Sequence, residues 1–308
     1  HLRVLDIPTK EITEIDTIPG SYISADKPAW SKDGKFIYFI EGKQLCFVDI
    51  EGKKKVTVFE TEEYIAEYRI SPNGQKILVL LNEEGPYARG KAIYLVNADG
   101  SGIKTLVDLG DAPAINNGFG IGAISWVTED SLTCAIENTL YKIDVKDGGR
   151  EVLVDNCFNA FACATNGLVA YANWDNESGA YTGIKLLDLK SRNAKEISVQ
   201  WSEDFVSEVD SWKLSWSPDG RKLAFRVEDI PLRKGFVLRK LRSKRHLKDS
   251  GSDKQESSIC ILDVFSGGIS SLMAGRLETH SFLSWRSDSS RLTFCGGYDF
   301  ALYIAELK

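Results

Sequence analysis

The 308 residues contain a single methionine and only three histidines. His1, His246 and His280 stand far apart, so a multi-histidine metal centre is not expected, and His280 reads as a loop or core contact. No Cys-x-x-Cys or close Cys/His pair offers zinc its ligands. The Gly-x-Ser-x-Gly elbow of α/β-type serine hydrolases is missing. No apolar run approaches the roughly 18 residues that a membrane-spanning helix requires. A net charge of −6 and a pI near 5.3 leave no broad basic surface for nucleic acid. The chain begins at His1 without a charged-then-apolar leader, so a processed protein or a segment of a longer one is expected.

Weak signals remain for ligand chemistry. Gly118-Phe119-Gly120-Ile121-Gly122 has a glycine rhythm but precedes a strand instead of opening a helix, unlike a phosphate cradle. Asn173, Asp175, Glu177 and Gly179 offer closely spaced oxygens, yet the glycine is misplaced for an EF-hand loop. Acidic pairs are plentiful, but spacing along a chain does not set the carboxylate separation that glycoside chemistry needs. These residues give no metal, cofactor or catalytic site. The six cysteines are irregularly spaced. Cys46, Cys134, Cys260 and Cys295 sit inside apolar strand-like runs, where a reduced thiol packs as a small hydrophobe. Cys157 and Cys163 are the one pairing worth testing.

What the sequence does have is a repeat. Trp30-Ser31-Lys32-Asp33-Gly34, Ile70-Ser71-Pro72-Asn73-Gly74 and Trp216-Ser217-Pro218-Asp219-Gly220 each precede a short apolar run. Degraded copies start at Trp126, Cys163 and Trp285, making six, spaced 37 to 69 residues apart. Pro presets φ at the first turn position, Asp or Asn bonds its own backbone, and Gly takes the positive φ that returns the chain. After each copy comes an alternating segment ending near an acid or amide: Leu45 to Asp49, Ile93 to Asn97, Leu140 to Asp144, Ile184 to Asp188, Ile259 to Asp263 and Leu302 to Glu306. A turn and another short strand follow five of these. Each repeat is therefore four antiparallel strands, a to d, with little helical periodicity anywhere, as a propeller requires. All-β domains of this length commonly form one unit, so residues 1–308 are expected to be a single six-bladed β-propeller domain.

The hairpin followed by an Ile-x-Leu-x-Asp strand resembles the TolB-type, WD40-like propeller repeat over nearly the whole chain. The matched residues are structural hairpins and carry no binding site across. The resemblance implies a periplasmic or cell-surface setting and assembly with other envelope components. The last repeat lacks strand d, and an N-terminal strand is expected to close the ring. Glu11 to Ile15 can serve, but Leu2 to Asp6 and Thr9 to Ile15 also read as a c–d pair, in which case either Leu2 to Ile7 is the closing strand or the pair is a remnant of a preceding segment.

The a–b and c–d turns are short, whereas b–c and d–a connections receive Asn82 to Lys91, Asp108 to Gly122, Asn173 to Gly183, Gln200 to Asp210 and Glu228 to Ser257. Loops on a rigid scaffold commonly carry recognition. The aromatics Tyr87, Phe119, Tyr181, Trp201, Phe205 and Trp212 fall there and suit peptide, protein or sugar contacts. Ile230 to Lys248 holds eight Lys or Arg and no acid, including Arg239, Arg242 and Arg245. This basic arm suits an anionic ligand or simply a solvated insertion. A non-catalytic propeller that binds a protein or peptide is the leading expectation. A prolyl-oligopeptidase-like gating propeller and a polysaccharide-binding or -cleaving propeller are the alternatives.

Overall fold

The computed structural model describes residues 2–5, 12–16, 28–82, 90–110, 121–137, 139–155, 157, 160–175, 180–198, 205–209, 214–231, 257–275, 283–286, 288–296 and 301–306. Among these there is no helix, and every element is a strand. The chain falls into two compact units, His1–Phe158 and Asn159–Lys308.

The first unit opens with β1 (Leu2–Leu5) paired antiparallel to β2 (Ile12–Asp16), the strand pairing that the c–d reading of the N-terminus expects. Three four-stranded sheets follow. Sheet I is β3 (Ala29–Trp30), β4 (Phe36–Glu41), β5 (Gln44–Asp49) and β6 (Lys55–Glu60). Sheet II is β7 (Tyr64–Ile70), β8 (Lys76–Asn82), β9 (Gly90–Asn97) and β10 (Lys104–Asp108), and sheet III is β11 (Ile121–Thr128), β12 (Ser131–Ile136), β13 (Thr139–Asp144) and β14 (Arg150–Asp155). In each, neighbours in sequence are neighbours in the sheet and all pairs are antiparallel.

The second unit repeats the pattern. Sheet IV is β15 (Ala160–Ala162), β16 (Leu168–Asp175), β17 (Ala180–Asp188) and β18 (Ala194–Ser198). Sheet V holds β19 (Phe205–Val209), β20 (Ser215–Trp216), β21 (Lys222–Pro231), β22 (Ser257–Asp263) and β23 (Ile269–Gly275). Here strand a is broken: β19 and β20 both pair with β21, one at Val227 to Pro231 and the other at Leu223 to Ala224. Among the described residues sheet VI has three strands, β24 (Leu283–Trp285), β25 (Arg291–Gly296) and β26 (Ala301–Glu306).

Why the middle strands are so apolar follows from their position. β8 reads Lys-Ile-Leu-Val-Leu-Leu-Asn and is buried from Ile77 onward. Ile77, Val79 and Leu81 pack with Tyr38, Leu45 and Phe59 of sheet I, while Leu78 and Leu80 pack with Ile124, Trp126 and Leu132 of sheet III. Alternate side chains point to opposite faces of a strand, so a sheet covered on both sides loses the polar half of its alternation. Sheets IV and V meet through Ile184, Leu223 and Phe225, and V and VI through Ala224, Ile261 and Leu292. Each fully buried Leu, Ile or Phe contributes roughly 1.5–3 kcal/mol from apolar burial. Cys46, Cys134, Cys157, Cys163 and Cys260 are buried and outside any disulfide, so the Cys157/Cys163 pairing does not form and these thiols serve as small core residues. Cys295 falls on β25.

Candidate binding surface

In an antiparallel sheet of this order the a–b and c–d turns lie at one end, and the b–c and d–a connections at the other. The first end is locked by repeated hydrogen bonds. In sheet V, Ser217 Oγ donates to Asp219 Oδ1 (2.6 Å), which also accepts from Arg221 N (3.0 Å), while Ser217 Oγ accepts from Lys222 N (2.9 Å). Ser31 with Asp33 and Ser71 with Asn73 make the same circuit. Gly34, Gly74, Gly167 and Gly220 have positive φ, and in the degraded last copy Ser289 takes φ 60° in place of glycine.

The c–d turns are capped by the residue ending strand c. Asp188 Oδ1 accepts from Lys190 N and Ser191 N, and Asp263 Oδ1 from Phe265 N, Ser266 N and Ser266 Oγ. These donors hold both carboxyls below their ordinary pKa. The Ser31 hydroxyl and the Lys35 amide do the same for Asp33, and the Ser290 hydroxyl and amide for Asp288. Burial pushes Asp219 upward, but bonds from Ser217, Arg221 and Ser289 outweigh it and leave its pKa lowered. Turn to turn, Thr165 Oγ1 donates to Pro218 O (2.8 Å) and Asp219 N to Ser289 Oγ (3.0 Å), joining sheets IV, V and VI.

A further latch joins consecutive sheets. Trp126 Nε1 donates to Arg69 O (2.9 Å), Trp216 Nε1 to Phe161 O (2.7 Å) and Trp285 Nε1 to Ser215 O (3.0 Å). Sheet II has Ile70 at the tryptophan position, and Tyr68 supplies the latch, its Oη donating to Tyr38 O (2.8 Å). Three of the four tryptophans that mark the repeat, Trp126, Trp216 and Trp285, thus join one sheet to the one before it.

The opposite end is where the connections vary. In the first unit it carries charged groups that the loop argument passed over: Lys91 Nζ lies 3.1 Å from Glu63 Oε1, Lys43 bonds Glu62, and Tyr64 beside them is exposed. Their signal was weak, because Glu62 and Glu63 sit in a d–a connection too short to read as an insertion. In the second unit two supposed loops contain strand among their described residues. Tyr181 lies on β17, opposite Trp174 of β16, and only residues 176–179 intervene between these strands. Phe205 opens β19, opposite Pro231 of β21, so Gln200 to Asp210 is not one loop and the insertion after Glu228 begins as paired strand. The acidic, serine-containing run hid β19, whose pairing with β21 is set by tertiary context. β17 runs beside β19, which brings the backbones of Tyr181 and Phe205 to the same end of sheets IV and V.

Tyr87, Phe119, Trp201, Trp212, Arg239, Arg242 and Arg245 lie outside the described residues, as do the three histidines, Glu177 and Gly179. Asn173 and Asp175 fall on β16, and Gly122 falls within β11. Among the described residues no group of three His, Cys, Asp or Glu could hold a metal, and no helix is long and apolar enough to cross a membrane.

No family model matches the sequence, and no curated protein matches it. Solved structures do. A putative TolB from Agrobacterium tumefaciens superposes with a TM-score of 0.57 at 16% identity, over 99% of this chain and 97% of that one. TolB from Acinetobacter baumannii gives 0.55 at 16%, over 86% of this chain and 58% of its own. Oligogalacturonate lyase from Vibrio parahaemolyticus gives 0.63 at 14%, over 99% and 81%. The chain has the all-β, six-bladed β-propeller fold. Its likeness is to the TolB type of that fold, and sheets I to VI are its blades.

Proposed function

We infer that this chain is a non-catalytic binding propeller that recognises a protein or peptide at the end of its blades where the b–c and d–a connections emerge. One observation carries this reading: the short turns are fixed by a repeated hydrogen-bond circuit, whereas the lengths of the opposite connections range from the two residues between β4 and β5 to the 25 between β21 and β22. A scaffold whose one end is uniform and whose other end is individual suits recognition by the individual end. The resemblance of the repeat to the TolB type implies a protein partner and an extracytoplasmic setting, and the likeness in fold to two TolB structures supports that resemblance. The basic arm within residues 230–248 gives that end a place for an anionic group.

The test compares wild-type protein with a Trp201→Ala, Phe205→Ala, Trp212→Ala variant as bait for an envelope extract, with thermal unfolding as the folding check. Folding kept and capture lost is the expected result. Equal capture by both baits removes these aromatics from the surface. Release of reducing sugar ends from polygalacturonate by the purified chain overturns the non-catalytic reading.

A further inference from the structure

The five c–d turns provide an internal comparison. Two residues after the strand-ending Asp or Asn stand Glu51, Asp99, Lys146, Lys190 and Phe265. Four are charged and one is phenylalanine. The turn does not need it: Phe265 N bonds Asp263 Oδ1 just as Glu51 N, Lys146 N and Lys190 N bond Asp49, Asp144 and Asp188. Its side chain belongs to a residue 70% exposed, the most of any large apolar residue among those described. A lone exposed apolar side chain is ordinary by itself. The surroundings of this one are not.

Arg221, from the a–b turn of the same blade, holds its guanidinium carbon 5.8 Å from the ring centroid, within cation–π range. Lys195 reaches over from blade IV, with Nζ 3.4 Å from where a Cβ on Gly267 would stand. Over residues 163–167, 188–195, 217–222, 263–268 and 286–291, which form this end of blades IV to VI, seven Lys and Arg face four Asp in a chain of net charge −6. All four carboxylates, Asp188, Asp219, Asp263 and Asp288, are engaged in capping their own turns. Arg286 pairs with Asp288 at 3.3 Å, and Arg221, whose charge also acts on Asp219 and Asp263, stands with Lys195 beside the exposed turn of Phe265.

We propose that Phe265, with Arg221 and Lys195, forms a second docking surface at the short-turn end of blades IV to VI for an acidic protein segment carrying an apolar side chain. An exposed aromatic flanked by cations supplies an anchor that excludes water and charges that fix orientation. A membrane surface fits less well: interfacial binding scales with buried apolar area, and in this unit Phe265 is the single exposed large apolar side chain among the described residues. The surface is separate from the long-connection end and stands or falls without it.

The test selects a random 12-residue peptide library on the full chain and measures the enriched peptides against Phe265→Ser and Arg221→Ser. Both positions are exposed, so thermal unfolding should match wild type. Expected are peptides rich in Asp and Glu beside Leu, Phe or Trp, affinities reduced at least ~10-fold by either substitution, and binding that weakens with salt. Enriched peptides without acids, or affinities unmoved by both variants, overturn the proposal. So does Phe265-dependent co-sedimentation with phosphatidylcholine–phosphatidylserine vesicles in the absence of peptide binding.

Discussion

Trp126, Trp216 and Trp285 each perform two tasks, packing an indole between neighbouring blades and donating Nε1–H to a carbonyl of the preceding one. Trp216→Phe keeps most of the packing and leaves Phe161 O without this donor, so a loss of about 1–3 kcal/mol is expected in urea unfolding. At Gly90 the limit is steric, because a Cβ there would overlap Ile121 O of the next blade. Gly90→Ala should therefore cost about 1–3 kcal/mol, as overpacking does, and lower the melting temperature. Cys134 is a chemical probe of the same core. Burial pushes its thiol up to about 12, against a weaker opposing pull from Arg150, and only the thiolate reacts. At about pH 8, below the ordinary thiol pKa, the native protein should leave Cys134 unlabelled by a thiol reagent. Unfolding in urea should expose it, as read by peptide mass spectrometry.

At the scale of the turn, acid sensitivity follows from the caps. Asp33, Asp188, Asp263 and Asp288 have folded pKa values below the ordinary carboxylate value. Their contribution is complete above the unfolded value of about 3.9 and is lost as pH falls through the lower folded values. The urea midpoint should thus drop as pH falls below about 4, and the Asp188→Asn, Asp263→Asn variant should show a shallower drop. These caps were also what made the fold legible in the sequence. Ser217-Pro218-Asp219-Gly220 announces its turn because each residue type supplies one local requirement. Even the degraded copy at Trp285 keeps its aspartate, Asp288, with Ser289 standing where the glycine would. What the sequence hid depends on distant partners: β19 is a strand because β21 extends past its pairing with β22 to meet it, and Tyr68 replaces a tryptophan latch because its hydroxyl reaches Tyr38 O.

For the molecule as a whole, the register of each blade is set at its short-turn end and along its ladders. The β21–β22 pairing runs from Lys222 opposite Asp263 to Glu228 opposite Ser257, so the 25 residues between these strands are attached to a complete hairpin stem. Replacing residues 232–256 with about eight Gly and Ser residues should leave the far-UV circular dichroism and melting temperature near wild type, since longer or shorter loops change closure entropy only slowly. Retention of any anionic partner by heparin-competed pull-down should fall. The same stem has a use beyond this chain. A segment spliced between Pro231 and Ser257 would inherit two fixed anchor points on a rigid support, so foreign recognition sequences could be displayed there without redesigning the blade that holds them.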